Sequence, residues 1–131
     1  LNETETLSVS QLNAWINTRE DLFFFNSGNG LPYSGLVTVI YDGCASGQAI
    51  TSLSNPNKKR LIITSATDYE AAQFINNGNV SFSQHFWSRI NHGANIRKAF
   101  RDTENSIKLI NHSQNPQLDD NGNGRRHQGR S

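Results

Sequence analysis

The chain of 131 residues contains one cysteine and nearly balanced charge, with 12 Lys and Arg against 11 Asp and Glu. A lone thiol closes no internal disulfide and leaves the redox compartment open. A net charge of +1 gives no long-range attraction toward nucleic acid or an anionic membrane. No apolar run approaches the ~20 residues that span a bilayer. The opening Leu1-Asn2-Glu3-Thr4-Glu5 lacks the basic and apolar regions of a signal peptide. Gly28 and Gly30 lie in the polar loop Asn26 to Pro32 without the strand-to-helix setting or the lysine of a phosphate cradle. A hydrophobic fraction of 34% and a mean hydropathy of −0.63 suit one soluble domain with a modest core and a polar tail. An extracellular or cell-envelope setting within a larger protein is compatible with these features.

What is present centres on the cysteine. Leu36-Val37-Thr38-Val39-Ile40-Tyr41 is an apolar run without polar alternation, the pattern of a central parallel strand covered on both faces. Asp42-Gly43-Cys44-Ala45-Ser46-Gly47 follows directly, so Cys44 is expected beyond the strand's carboxyl end, where α/β sheets collect working groups. Ser46 is placed to cap a helix through Gln48 to Leu53, whose positive end would favour a thiolate at Cys44. A buried structural cysteine is the alternative that position alone leaves open.

The segment Val39 to Gly47 resembles the nucleophile segment of the caspase-hemoglobinase cysteine peptidases, and within them the bacterial legumain-like members. The similarity continues through Arg60-Leu61-Ile62-Ile63-Thr64-Ser65-Ala66, Ser81-Phe82-Ser83-Gln84-His85-Phe86-Trp87 and Ala99-Phe100, covering about residues 8 to 124. It implies a three-layer caspase-like α/β sandwich with a mostly parallel sheet, and a hydrolase that cleaves peptide or protein substrates with Cys44 as nucleophile. It also implies substrate contacts from Asp42, Gly43 and Glu70, while Thr64 to Glu70, with Ser65 and Asp68, follows a second buried strand whose end should neighbour Cys44 and form a pocket wall. Asp42 would favour basic or amide side chains. Glu70 aligns with a pocket glutamate, while Ala71-Ala72 replace paired serines and leave asparagine specificity unassigned.

The family's catalytic histidine precedes its cysteine, whereas His85, His92, His112 and His127 all follow Cys44. The chain therefore reads as the C-terminal part of an incomplete domain, over residues 1–112, whose N-terminal part supplies the histidine and is the expected protein partner. Two other readings stay open. One is an inactive caspase-like scaffold that binds proteins. The other is a small-molecule cysteine hydrolase on a flavodoxin-like sheet, with His85 or His92 as base. His92-Gly93 otherwise reads as a helix end, with the histidine favouring the helix dipole and the glycine the left-handed cap.

Around this centre the pattern predicts further elements. Ser8 and Gln11 form a capping box for a helix with Leu12, Trp15 and Ile16 on its apolar face, and Phe23-Phe24-Phe25 reads as a strand end. Arg60 to Ser65 is a second buried strand, completing a strand-helix-strand unit whose end should neighbour Cys44. Thr67 or Asp68 is placed to cap a helix from Tyr69 to Phe74. Ser81 and Gln84 open a helix with Phe82, Phe86, Trp87 and Ile90 apolar, and Ile96, Ala99, Phe100, Thr103 and Ile107 mark another.

Residues 113–131 read as a polar tail or linker. Within it, Asp119, Asn121 and Asn123 match the first half of a calcium loop with Gly124 at the sixth position. Arg130 stands where the bidentate Glu belongs, which leaves Ca²⁺ a weak candidate. No other cofactor is expected.

Overall fold

A computed structural model of the chain describes residues 6–26 and 35–124. Helix α1 (Val9–Asn26) starts at the expected capping box. The Gln11 N–H donates to Ser8 Oγ at 3.2 Å and the Ser8 N–H to Gln11 Oε1 at 3.0 Å, so two helix-start donors are satisfied reciprocally. The backbone of Phe23–Phe25 belongs to α1 and not to a strand. The glycine-rich loop after it falls outside the described residues. Val9, Leu12 and Ile16 pack inward, but Trp15 is 61% exposed and lies off that face.

Strand β1 (Val37–Tyr41), helix α2 (Gln48–Leu53) and strand β2 (Arg60–Thr64) form the expected unit, with β1 and β2 parallel from Val37↔Arg60 to Tyr41↔Thr64. Helices α3 (Phe82–Asn91) and α4 (Ile96–Ile110) follow, and strand β3 (Gln117–Asp119) returns antiparallel to β2. The sheet order is β1-β2-β3, so it is mixed rather than mostly parallel, and β2, not β1, is the central strand among the described residues. Among the described residues, β1 is paired on one side only.

Successive residues of β2 feed opposite layers. Ile63 packs with Phe82, Phe86, Ala99, Phe100, Ile107 and Leu118 under α3 and α4, while Ile62 packs with Ala49, Ile50 and Leu53 beneath α1 and α2. Helices thus cover both faces of the sheet. Phe82, Phe86 and Phe100 are fully buried, each contributing roughly 1.5–3 kcal/mol of burial. Trp87, expected on the same face, sits edge-on against Phe86 and is half exposed.

Local chemistry sets the helix ends. Ser81 Oγ accepts the Gln84 N–H at 3.2 Å, as the second capping box requires. Gly93, at φ +88, closes α3 with its N–H on Ile90 O, and His92 Nδ1 donates to Ser88 O at 2.6 Å. His92-Gly93 is therefore a helix end, as its sequence suggests.

Two further expectations are corrected. Tyr69 to Phe74 is not helical: the Gln73 N–H, which a helix would direct at Tyr69 O, donates instead to Gln114 Oε1 at 3.0 Å. The stretch from 113 to 124 is no detached tail. Gln114, Gln117, Leu118 and Asp119 are buried, and the last three form β3.

Candidate functional site

Cys44 lies three residues beyond β1 in a turn spanning 44–47, at the sheet edge the sequence indicates, and its side chain is exposed rather than buried. The register continues past the strands, because the Ser65 N–H donates to Tyr41 O at 3.1 Å. Ser65 then turns its hydroxyl onto Gly43, two residues past the end of β1. The Gly43 N–H donates to Ser65 Oγ at 3.0 Å, and that hydroxyl faces Gly43 O at 3.4 Å.

On the far side of the cysteine, the Ala45 N–H donates to Glu70 O at 2.8 Å. Ala45 stands at φ +53, a left-handed conformation that costs a non-glycine residue free energy and persists only where its surroundings hold it. The residues on both sides of Cys44 are thus clamped to the loop after β2. The Cys44 N–H itself has no acceptor among the described residues.

The clamps are themselves anchored by the segment before β3. Gln114, fully buried, donates Nε2–H to Ser65 O at 2.9 Å and receives the Gln73 N–H. Asn115 donates its N–H to Glu70 Oε2 at 2.8 Å and its Nδ2–H to Glu70 Oε1 at 2.7 Å, while the Thr67 N–H donates to Oε2 at 3.0 Å. Burial would raise the Glu70 pKa, but the hydrogen bonds from Thr67 and Asn115 outweigh it and hold the carboxyl below its ordinary value. Both Glu70 oxygens are therefore used within the loop. Gln114 and Asn115 went unnoticed in the sequence because they sat in what read as a linker.

Gly47, not Ser46, is the N-cap of α2, and no side chain caps that helix. Ser46 Oγ is engaged elsewhere, accepting the Ala66 N–H at 3.1 Å and facing Ala66 O. Gly47 is required by close approach: a Cβ there would stand 2.7 Å from Asp68 Oδ1 and 2.8 Å from Gln117 Oε1. Asp68 therefore lies against the Cys44 turn, and its carbonyl receives Gln48 Nε2–H at 3.3 Å.

Asp42 links the turn to α3, with Oδ2 accepting the Ser83 N–H at 2.9 Å while Oδ1 is buried without a partner among the described residues. A carboxylate at a helix start suits the dipole. No histidine hydrogen-bonds the Cys44 thiol among the described residues. His85 Nε2 is buried without a partner there, and His92 is engaged at its helix end.

Asp119, Asn121 and Asn123 lie in a hydrogen-bonded turn after β3. Fully buried Asp119 accepts N–H groups from Asn121 and Gly122 at Oδ1, and from Gly124 together with the Ser54 hydroxyl at Oδ2. Asn121 Oδ1 receives the Asn123 N–H. No group of three or more His, Cys, Asp or Glu placed to hold a metal occurs among the described residues.

The buried ion pair of Arg60 and Glu20 escaped the sequence reading. Arg60, 2% exposed, places all five of its N–H groups on Glu20 Oε1 and Oε2, Asn13 Oδ1, Asn17 Oδ1 and Leu53 O. This pins α1 to β2 and the end of α2. The visible signal is the helical spacing of Asn13, Asn17 and Glu20.

No helix among the described residues is long and apolar enough to cross a membrane. No family model, curated protein or solved structure matches the chain.

Proposed function

We propose that the chain is part of a caspase-like cysteine peptidase domain in which Cys44 attacks the carbonyl carbon of a peptide bond. The observation that carries this reading is the double clamp around an exposed thiol, with Gly43 and Ala45 N–H groups engaged and the Cys44 N–H without an acceptor among the described residues. A thiolate at Cys44 adds to the carbonyl, and that N–H meets the oxyanion that develops on the carbonyl oxygen. Asp42, whose Oδ2 holds the start of α3 while Oδ1 is buried, would set the charge at the base of the pocket rather than contact the substrate directly. Glu70 and Ser65 then shape the pocket through the loop they hold rather than by direct contact, with Asp68 at its wall. The proton transfers are assigned to a histidine outside the chain, carried by the N-terminal part of the domain that would also pair with the open side of β1.

The absence of a histidine hydrogen bond to Cys44 among the described residues equally favours a protein-binding scaffold on the same framework. Peptidyl acyloxymethylketones varied at the residue before the scissile bond separate the two in a form of the protein that includes the N-terminal partner strand. Selective labelling that Cys44→Ala abolishes is the peptidase outcome. Labelling no better than that by a small thiol reagent is the scaffold outcome.

A further inference from the structure

Three Asn-Gly steps lie within the described residues, at 77–78, 121–122 and 123–124. Such a step is chemically labile. The glycine backbone nitrogen attacks the asparagine side-chain carbonyl carbon, an N–C bond forms, the bond to the side-chain amide nitrogen breaks, and that nitrogen leaves as ammonia with the glycine's proton. Water then opens the cyclic imide on either side, giving aspartate or isoaspartate. The reaction requires a glycine N–H free to give up its proton and an asparagine side chain free to swing onto it.

The fold treats the three steps differently. At the two C-terminal steps the glycine N–H groups are held by one buried carboxylate, Gly122 on Asp119 Oδ1 at 3.0 Å and Gly124 on Asp119 Oδ2 at 3.1 Å. The Asn121 side chain is held as well, by the Asn123 N–H at 3.1 Å. Gly122 is also wedged against Asn55, whose carbonyl oxygen would stand 2.5 Å from an added Cβ.

Asn77-Gly78 has none of these restraints. It occupies the tip of a loop closed by paired Ile75 and Val80, with Asn76, Asn77 and Gly78 at φ +52, +56 and +86. Asn77 is exposed, and neither its side chain nor the Gly78 N–H has a partner among the described residues. A Cβ built on Gly78 meets nothing within 4 Å, so the step has room to move.

We propose that Asn77 is a site of spontaneous deamidation selected by the fold, with Asp119 acting as the lock that spares Asn121 and Asn123. This inference is independent of the peptidase reading. Its product bears on α3, because Gly78 O accepts the Ser81 hydroxyl at 3.1 Å and Ser81 is the N-cap of that helix. An aspartate adds a negative charge on the favoured side of the helix dipole. An isoaspartate lengthens the main chain before Gly78, displaces its carbonyl from Ser81 and loosens the start of α3.

The test is peptide mapping by mass spectrometry after incubation of the protein at mildly alkaline pH, folded and in denaturant, with Asn77→Gln as the marker for that step. In denaturant the three identical dipeptides serve as the reference for intrinsic rates. In the folded protein, conversion relative to that reference is expected to be several-fold greater at Asn77 than at Asn121 or Asn123. Equal relative rates at the three steps, or greater protection at Asn77, would overturn the proposal.

Discussion

The hydroxyl of Ser65 receives the backbone N–H of Gly43, the residue before Cys44, across a sequence separation of 22 residues. Ser65 is itself fixed from behind by Gln114, 49 residues further on, through Ser65 O. The turn that presents the thiol is therefore held from the segment before β3 as well as from the loop after β2.

Replacing Ser65 by alanine leaves the Gly43 N–H without its acceptor. Urea unfolding is expected to show a loss of about 1–3 kcal/mol, the cost of an unsatisfied, partly buried donor. A loss indistinguishable from zero would mean that water serves Gly43 equally well.

Gln114 makes two buried bonds, so the variants should separate. Gln114→Leu removes both and is expected to lower stability by about 2–4 kcal/mol. Gln114→Glu keeps an acceptor for the Gln73 N–H but places a carboxylate against Ser65 O, and should disturb the Cys44 turn most. Alkylation of Cys44 by iodoacetamide, measured against the unfolding midpoint of each variant, shows whether the turn or only global stability has changed.

For the buried pair, Glu20→Ala should cost about 3–5 kcal/mol because Arg60 keeps its charge in a dry site. The double variant Arg60→Met with Glu20→Leu should cost less than the sum of its single changes. Strict additivity in that cycle would mean that the two side chains are not coupled.

Acid should weaken the loop that carries Glu70. Its carboxyl titrates below the ordinary value of 4.5 in the folded chain, so its contribution is complete above that value and is lost as pH falls through the lowered one. The urea midpoint of the native sequence should therefore drop more steeply below pH 4.5 than that of Glu70→Gln. Parallel curves would remove Glu70 from the acid response.

The parts legible in the sequence are those that local chemistry decides. Ser8 with Gln11, Ser81 with Gln84, and His92-Gly93 declare helix ends because their partners lie within four residues. The strand-turn placement of Cys44 was equally readable from an apolar run broken by Asp42-Gly43. Where the reading failed, a distant group had taken a local donor or acceptor. Tyr69 to Phe74 loses its helix to Gln114. Ser46 is drawn from the α2 cap by Ala66, and Arg60 is buried only because α1 brings Asn13, Asn17 and Glu20 to it. Gln117 and Asp119 look like linker residues in composition, yet the sheet and the Asp119 loop place them in the interior.

The most direct measurement is the pH dependence of Cys44 labelling by a peptidyl acyloxymethylketone panel, in the longest available form of the protein, with Cys44→Ala as control. Labelling that favours one class of side chain, exceeds that by a small thiol reagent and disappears in Cys44→Ala is the expected result. Labelling that ignores the peptide and follows the titration of an ordinary exposed thiol would contradict the assignment of Cys44 as a peptidase nucleophile.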